Sequence, residues 1–325
     1  MSGGNGLTLV AMGGRRSGLG HVLRSVTLAR EARWMGLSPT LWIAGDREAL
    51  GHAARELRGI AVRPLGPGDD PCAAARALIL DGPGDLEPWL AAAEARGLPS
   101  LVLDRLDAVD RATWTVLPVL HAEPVAHPRV RQGADWCLVE PLQQGRPAPP
   151  YPGRRDRVLV VLGGADAGGL TARIASALPD LSPFGLETLL VVGPAAPEHS
   201  LAACRELGRV LHAPTRDGLL DAMGTARLAV CGFGLSLYEL AALGTPALTY
   251  TRSLGDAAAA ERLAALGIGR PMGDVGGFEA ESLAASTLEL LRGDRGARMH
   301  HQGRQALGDG KAARRVLELV WGGTA

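Results

Sequence analysis

The chain has 325 residues, 46% of them hydrophobic, and its 34 Lys+Arg balance 34 Asp+Glu. That length and apolar content suffice for two domains with sizeable cores. Zero net charge leaves no basic excess for a nucleic-acid footprint and no polybasic patch for a membrane surface.

Cys72, Cys137, Cys204 and Cys231 form no CxxC pair, so no structural zinc site is expected. They read as small apolar residues of a reducing compartment. The sequence does not open on a charged-then-apolar leader, and no apolar run approaches the ~20 residues that cross a bilayer. A soluble, cytoplasmic protein is expected.

Residues 7–11 are an apolar run that predicts a buried strand. The glycine-rich turn Met12-Gly-Gly-Arg-Arg-Ser-Gly-Leu-Gly-His-Val-Leu-Arg24 follows. It leads into a helix over 22–34, with Val22, Val26, Ala29 and Trp34 at roughly helical spacing. Such a turn brings backbone N–H groups and a helix N-terminus to an anionic ligand. Its glycines Gly13, Gly18 and Gly20 do not fall in the order of a dinucleotide fingerprint, and His21 and Arg24 stand in the first turns of the helix. A phosphate loop alone needs no histidine there. A site that moves a proton beside a phosphorylated substrate has a use for one.

Further strands are predicted at 40–44, 77–81 and 100–104, with a short β-branched segment at 60–64. Helices are predicted at 46–57, capped by Asp46, and at 71–77 and 88–96; edge elements are expected at 114–119 and 136–139. Strands alternating with helices mean a parallel sheet covered on both faces, with ligands at the carboxyl ends of the strands. The glycine turn, Asp46, Asp81 and Asp104 therefore share one rim.

Gly145-Arg-Pro-Ala-Pro-Pro-Tyr-Pro-Gly-Arg-Arg-Asp156 reads as a linker, dividing the chain into domains 1–150 and 151–325. The pattern then restarts. Strands are predicted at 157–162, 186–192, 210–213, 226–231 and 246–250. Helices are predicted from 170 and at 201–207, 215–222, 237–243 and 257–266. The tail from 279 is mostly helical, and its last helix is expected to pack back on the first domain.

Gly163-Gly164-Ala-Asp166 and Gly232-Phe-Gly234 each end an apolar strand and open a helix. Two helix N-termini aimed at one place suit a diphosphate. Ser236 adds a hydroxyl, and Glu239 lies one turn on along the same face. Its carboxylate suits both hydroxyls of a ribose. It also suits an exposed helix charge, or a capping-box partner of Ser236.

The segment Gly232 to Pro246 resembles the nucleotide-binding part of GT-B glycosyltransferases, in particular the N-acetylglucosaminyltransferase that makes lipid II. The whole chain looks more closely like the UDP-sugar hydrolases of pseudaminic acid biosynthesis, which act on UDP-2,4-diacetamido-2,4,6-trideoxy-β-L-altropyranose. Gly18-Leu-Gly-His-Val-Leu-Arg-Ser-Val-Thr-Leu-Ala29 is similar to that family's G-x-G-H-x-x-R-x-x-x-L-A. Gly163-Gly-Ala-Asp166 with Leu170-Thr171 is similar to its G-G-x-D…L-T segment, and Asp309-Gly-Lys311 with Arg315 to its D-G-K-G…R ending.

The resemblance implies an α/β fold of the GT-B type, two Rossmann-like domains with parallel sheets facing a central cleft. It implies a metal-independent enzyme that uses no cofactor and takes a UDP-sugar as its small-molecule partner. UDP would sit on the second domain, at Gly163, Gly164, Asp166, Gly232, Gly234, Leu235, Ser236 and Glu239. The sugar would meet the first, near Gly18, Gly20 and Asp104, where His21 matches the family's catalytic histidine.

In the implied reaction, water attacks the anomeric carbon and UDP leaves. UDP is already a weak base and needs charge stabilisation more than protonation, which helix N-termini and Arg24 suit. Water needs a base, and histidine titrates near the working pH. Against these stand plainer roles: a histidine bonded to a loop carbonyl, and an exposed or merely structural arginine.

The chain departs from the family in two places. The family's aspartate followed shortly by tyrosine is here Asp104-Arg-Leu-Asp107, and its Asn-Gln segment is here Ser253-Leu-Gly-Asp256. An inverting glycosyltransferase with an organic acceptor, and a non-catalytic nucleotide-sugar binder, remain alternatives to the hydrolase.

Overall fold

The computed structural model describes residues 6–14, 18–153, 155–163, 169–194 and 196–322. The chain divides into two units, Met1–Gln143 with Gly308–Ala325, and Gln144–Leu307.

The first unit runs β1 (Gly6–Gly13), α1 (Gly20–Trp34), β2 (Ser38–Gly45), α2 (Arg47–Glu56), β3 (Ala61–Pro64), β4 (Ala77–Asp81), α3 (Glu87–Ala95), β5 (Ser100–Leu103), β6 (Trp114–Leu117), β7 (Val130–Gln132) and α4 (Glu140–Gln143). Successive strand residues point to opposite faces, so only an unbroken apolar run suits a strand covered on both. On β1, Leu7, Leu9 and Ala11 pack with α1 and α2, while Val10 and Met12 pack with Leu86 and Leu90 around α3. All seven strands are parallel, in the order β3-β2-β1-β4-β5-β6-β7.

The second unit runs β8 (Arg157–Val161), α5 (Leu170–Ser176), β9 (Glu187–Val192), α6 (Glu198–Arg205), β10 (Arg209–His212), α7 (Arg216–Thr225), β11 (Ala226–Gly232), α8 (Leu235–Ala242), β12 (Ala247–Thr251), α9 (Leu254–Ala265), β13 (Arg270–Asp274), α10 (Ala280–Arg292) and α11 (Arg295–Gln305). Its sheet is also parallel, in the order β10-β9-β8-β11-β12-β13. Counted within each unit, the second sheet follows the doubly wound order 3-2-1-4-5-6, and the first follows the same order with a seventh strand at its end. The chain then returns to the first unit as α12 (Ala312–Gly322). There Ala313, Val316, Leu317 and Val320 are buried in the same core as Ala29 and Ala32 of α1.

Four local readings are corrected. Residues 71–74 form turns and β4 already starts at Ala77; the Asp70 carboxylate accepts from the Cys72 amide at 3.0 Å and so competes with a helix. In place of a strand at 136–139 there is a 3-10 turn, Ala134–Trp136. The edge strand is β7, three residues long and too short to show a period. β13 went unread because Pro271 and Gly273 interrupt it, which an edge strand tolerates. Trp34 is 87% exposed. It lies twelve residues after Val22, which puts it roughly 120° round the helix from the buried stripe.

The Pro/Gly-rich run belongs to the second unit by way of Arg155, which is buried. Its guanidinium donates to the carbonyls of Pro149 (2.8 Å), Ala226 (2.8 Å) and Leu243 (2.9 Å) and to Thr245 Oγ1 (2.7 Å). Burial pulls its pKa down to about 10. Arg155→Met leaves those acceptors without a donor and is expected to lower stability by about 2–4 kcal/mol in denaturant unfolding.

Candidate functional site

In open parallel sheets, ligands collect where the strand order reverses, at the carboxyl ends of the two central strands. In the first unit these are β1 and β4. β1 ends at Gly13, and a Cβ there would meet Val22 Cγ2 at 2.5 Å, so only glycine lets α1 lie this close to the strand. Gly14 and Gly18 exchange backbone hydrogen bonds of 3.0 and 2.8 Å, and Gly18 takes φ +80°. Gly20 opens α1, and His21 and Arg24 follow one turn apart on it.

β4 ends at Asp81, which is fully buried. His21 Nδ1 lies 2.7 Å from Asp81 Oδ1. Arg24 grips the same carboxylate with two nitrogens, Nε to Oδ2 at 3.0 Å and Nη2 to Oδ1 at 2.7 Å. Its Nη1 reaches Asp104 Oδ2 at 3.2 Å. His21 Nδ1 and Arg24 Nη2 are 2.8 Å apart because both converge on Oδ1. A lone pair on Nδ1 would face the carboxylate, so the network assigns the proton to Nδ1 and leaves Nε2 as the basic nitrogen. Among the described residues nothing bonds to Nε2, and the side chain is 25% exposed.

Burial alone would push the Asp81 carboxyl up. The Arg24 charge and the hydrogen bonds from His21 and Arg24 outweigh it and hold the group below the usual carboxylate range. Burial would likewise lower Arg24, but Asp81 and then Asp104 raise it above its ordinary value. Arg24 is 8% exposed and engaged on both sides, so it is not an exposed helix charge.

Asp104 follows β5 with φ +61°, a left-handed conformation that aspartate tolerates better than most residues. Its amide donates to Val116 O at 2.9 Å, and its side chain stays partly exposed. Arg105, where the resembled family carries a different pattern, donates to Gly82 O (3.0 Å) and Gly84 O (2.8 Å) and so ties down the turn after Asp81.

In the second unit the order reverses between β8 and β11. Gly163 follows β8 with φ +105°, Gly232 ends β11, and Gly234, with φ +143°, precedes α8. The two glycine turns read from the sequence thus flank one switch point. Gly164 and Asp166 lie outside the described residues. The helix after the first turn, α5, starts at Leu170, as read from the sequence.

Leu235 and Ser236 are the first two residues of α8, both partly exposed. The helix start at Leu235 rules out a capping box from Ser236. Glu239 is 1% exposed, and both its oxygens accept from Arg216 at the start of α7: Oε1 from Nη2, and Oε2 from Nη1 at 3.3 Å. It is therefore no exposed helix charge, and its carboxylate lies inside the unit.

One cation at this rim was not read from the sequence. Arg252, in the turn after β12, donates through Nη2 to Leu162 O at 2.9 Å.

All four cysteines are free and buried. Among the described residues no three His, Cys, Asp or Glu side chains gather in a metal-holding group. No helix of the described residues is long and apolar enough to cross a membrane.

No protein-family model matches the chain, and no curated protein sequence matches it. Solved structures do. MurG of Acinetobacter baumannii superposes with a TM-score of 0.67 at 16% identity, over 98% of this chain and 99% of that one. LpCGTa in complex with UDP gives 0.66 at 18% identity, over 97% and 98%. UDP-GlcNAc 2-epimerase of Neisseria meningitidis, bound to UDP-GlcNAc, gives 0.65 at 13% identity, over 98% and 99%. Identities this low speak for the fold alone. With two parallel-sheet units of the same winding, seven strands and six, that fold is GT-B.

Proposed function

We propose that the chain hydrolyses a UDP-activated amino or deoxy sugar at its anomeric carbon, with inversion. The observation that carries this reading is the His21–Asp81 pair at the switch point of the first sheet. A buried carboxylate on Nδ1 holds the imidazole in the tautomer whose Nε2 takes a proton, and it stabilises the imidazolium that forms.

In the step we envisage, Nε2 removes a proton from water as the water oxygen bonds to the anomeric carbon. The bond from that carbon to the β-phosphate oxygen breaks, and UDP departs with the electron pair. Arg24 and Asp104 keep Asp81 and His21 in place.

The nucleotide is assigned to the second unit, at the turns of Gly163, Gly232 and Gly234 and the first turn of α8 with Leu235 and Ser236. Two of the solved structures with this fold are named with UDP or UDP-GlcNAc bound, which supports that choice of ligand. The motif resemblance from Gly18 to Arg315 supports water as the acceptor.

A second reading, transfer to an organic hydroxyl with the same base, draws on the glycosyltransferases among the structural neighbours. Incubation with a panel of UDP-sugars, following free UDP and free sugar, separates the two. Release of both without any acceptor is expected. UDP release only when an acceptor is added establishes transfer, and binding without release under either condition defeats both. His21→Ala is expected to lower the rate by ~10²-fold or more; full activity in that variant would remove the base assignment.

A further inference from the structure

We infer that Arg252 is the cation that receives the diphosphate of the bound nucleotide. This rests on the UDP reading above and adds to it a residue that neither the motif pattern nor the resemblance marks.

The sequence reading gave Arg24 the task of neutralising the leaving group. The structure removes Arg24 from that task, because it is buried and its three guanidinium nitrogens are taken up by Asp81 and Asp104. A departing UDP still gains negative charge as the bond breaks, and a fixed cation at that point lowers the barrier.

Arg252 stands where such a cation is needed. It follows β12 yet bonds across to the residue after β8, passing the carboxyl end of β11, which lies between them in the sheet. Its Nη2 would be 3.7 Å from a Cβ placed on Gly163, and the Leu162 carbonyl oxygen it holds would be 3.7 Å from a Cβ placed on Gly232. The guanidinium therefore sits between Gly163 and Gly232, the two glycines that flank the switch point, and neither of these two residues has a side chain to screen it.

Among the described residues only Nη2 is committed, to a neutral carbonyl, and no carboxylate pairs with Arg252. The remaining N–H donors form a fork, the geometry that matches phosphate oxygens two at a time. The first N–H groups of α8, preceded by Gly234 and lacking a side-chain cap, face the same rim.

The test is calorimetric titration of the full chain with UDP and with uridine, for the wild type, Arg252→Met and Arg252→Lys. The wild type is expected to bind UDP more tightly than uridine. Arg252→Met is expected to lose ~10-fold or more in UDP affinity and to keep its uridine affinity, and Arg252→Lys, a point charge without the fork, to recover part of the loss.

A Met variant that binds UDP within twofold of the wild type overturns the inference. So does a parallel loss of uridine binding, which would mean that Arg252 only braces the Leu162 turn. A wild type that binds uridine but gains nothing from the diphosphate overturns it while leaving a nucleoside site in place. A wild type that binds neither overturns the UDP reading itself.

Discussion

Asp81→Asn is expected to slow UDP release from the UDP-sugar by ~10²- to 10⁴-fold, with the larger part of the effect in kcat. An amide in place of the carboxylate no longer demands the Nδ1 proton of His21, so the imidazole loses the tautomer that leaves Nε2 basic. The same change strips Arg24 of its bidentate partner. Arg24 is 8% exposed and keeps the charge of Asp104 at 3.2 Å and one neutral amide oxygen at position 81, so a poorly compensated charge stays inside the unit. Breaking a buried pair from one side costs about 3–5 kcal/mol. Lower thermal stability should therefore accompany the lost rate.

The two effects separate in Asp81→Asn/Arg24→Met, which should regain much of the stability and little of the activity. A single variant with both wild-type turnover and wild-type melting would defeat the assignment of Asp81. The pH dependence has a definite sign. Asp81 is held below its unfolded value near 3.9, so its contribution is complete above that pH. It is lost as pH falls through the lower folded value. Acid titration of stability should show this limb in the wild type and not in Asp81→Asn.

Arg216→Met is expected to destabilise the second unit by about 3–5 kcal/mol. Its guanidinium is 4% exposed and serves both oxygens of Glu239, so its loss leaves a carboxylate inside the unit without that charge partner. The pair joins the first residue of α7 to the middle of α8, whose first turn borders the switch point. Glu239→Gln should be milder, since an amide oxygen still accepts from Arg216, and Arg216→Met/Glu239→Leu should recover part of the loss. Denaturant unfolding of the three variants provides the cycle. Additive losses would mean that the pair has no coupling of its own.

Much of the fold was legible in the chain because long apolar runs between glycines leave few options. Residues 7–11, 157–162 and 226–231 carry too little polar character for anything but strands covered on both faces. What the pattern left unread is short or interrupted: three residues in β7, and a Pro and a Gly in β13. In the site, His21 stood out because a glycine turn gives a histidine little structural reason to be there. Asp81 was readable only as one rim residue among several. Its strand end carries no motif, and its significance comes from lying across the switch point from His21, sixty positions earlier in the chain. Arg252 had no signal at all, because reaching past a strand is a property of sheet order.

The sequence alone determined the alternation of strands and helices, the two glycine turns in the second half, and the histidine in the first, since these follow from local apolar content, backbone freedom and residue chemistry. Tertiary structure decided which charges meet. It drew Arg24 into a buried pair with Asp81, turned Glu239 inward to Arg216, and left Arg252 at the rim between Gly163 and Gly232. The physical reason is that a side chain's local sequence fixes its charge but not its solvation. Burial and partners, which depend on how strands are ordered in the sheet, decide whether a guanidinium holds the fold together or faces a ligand.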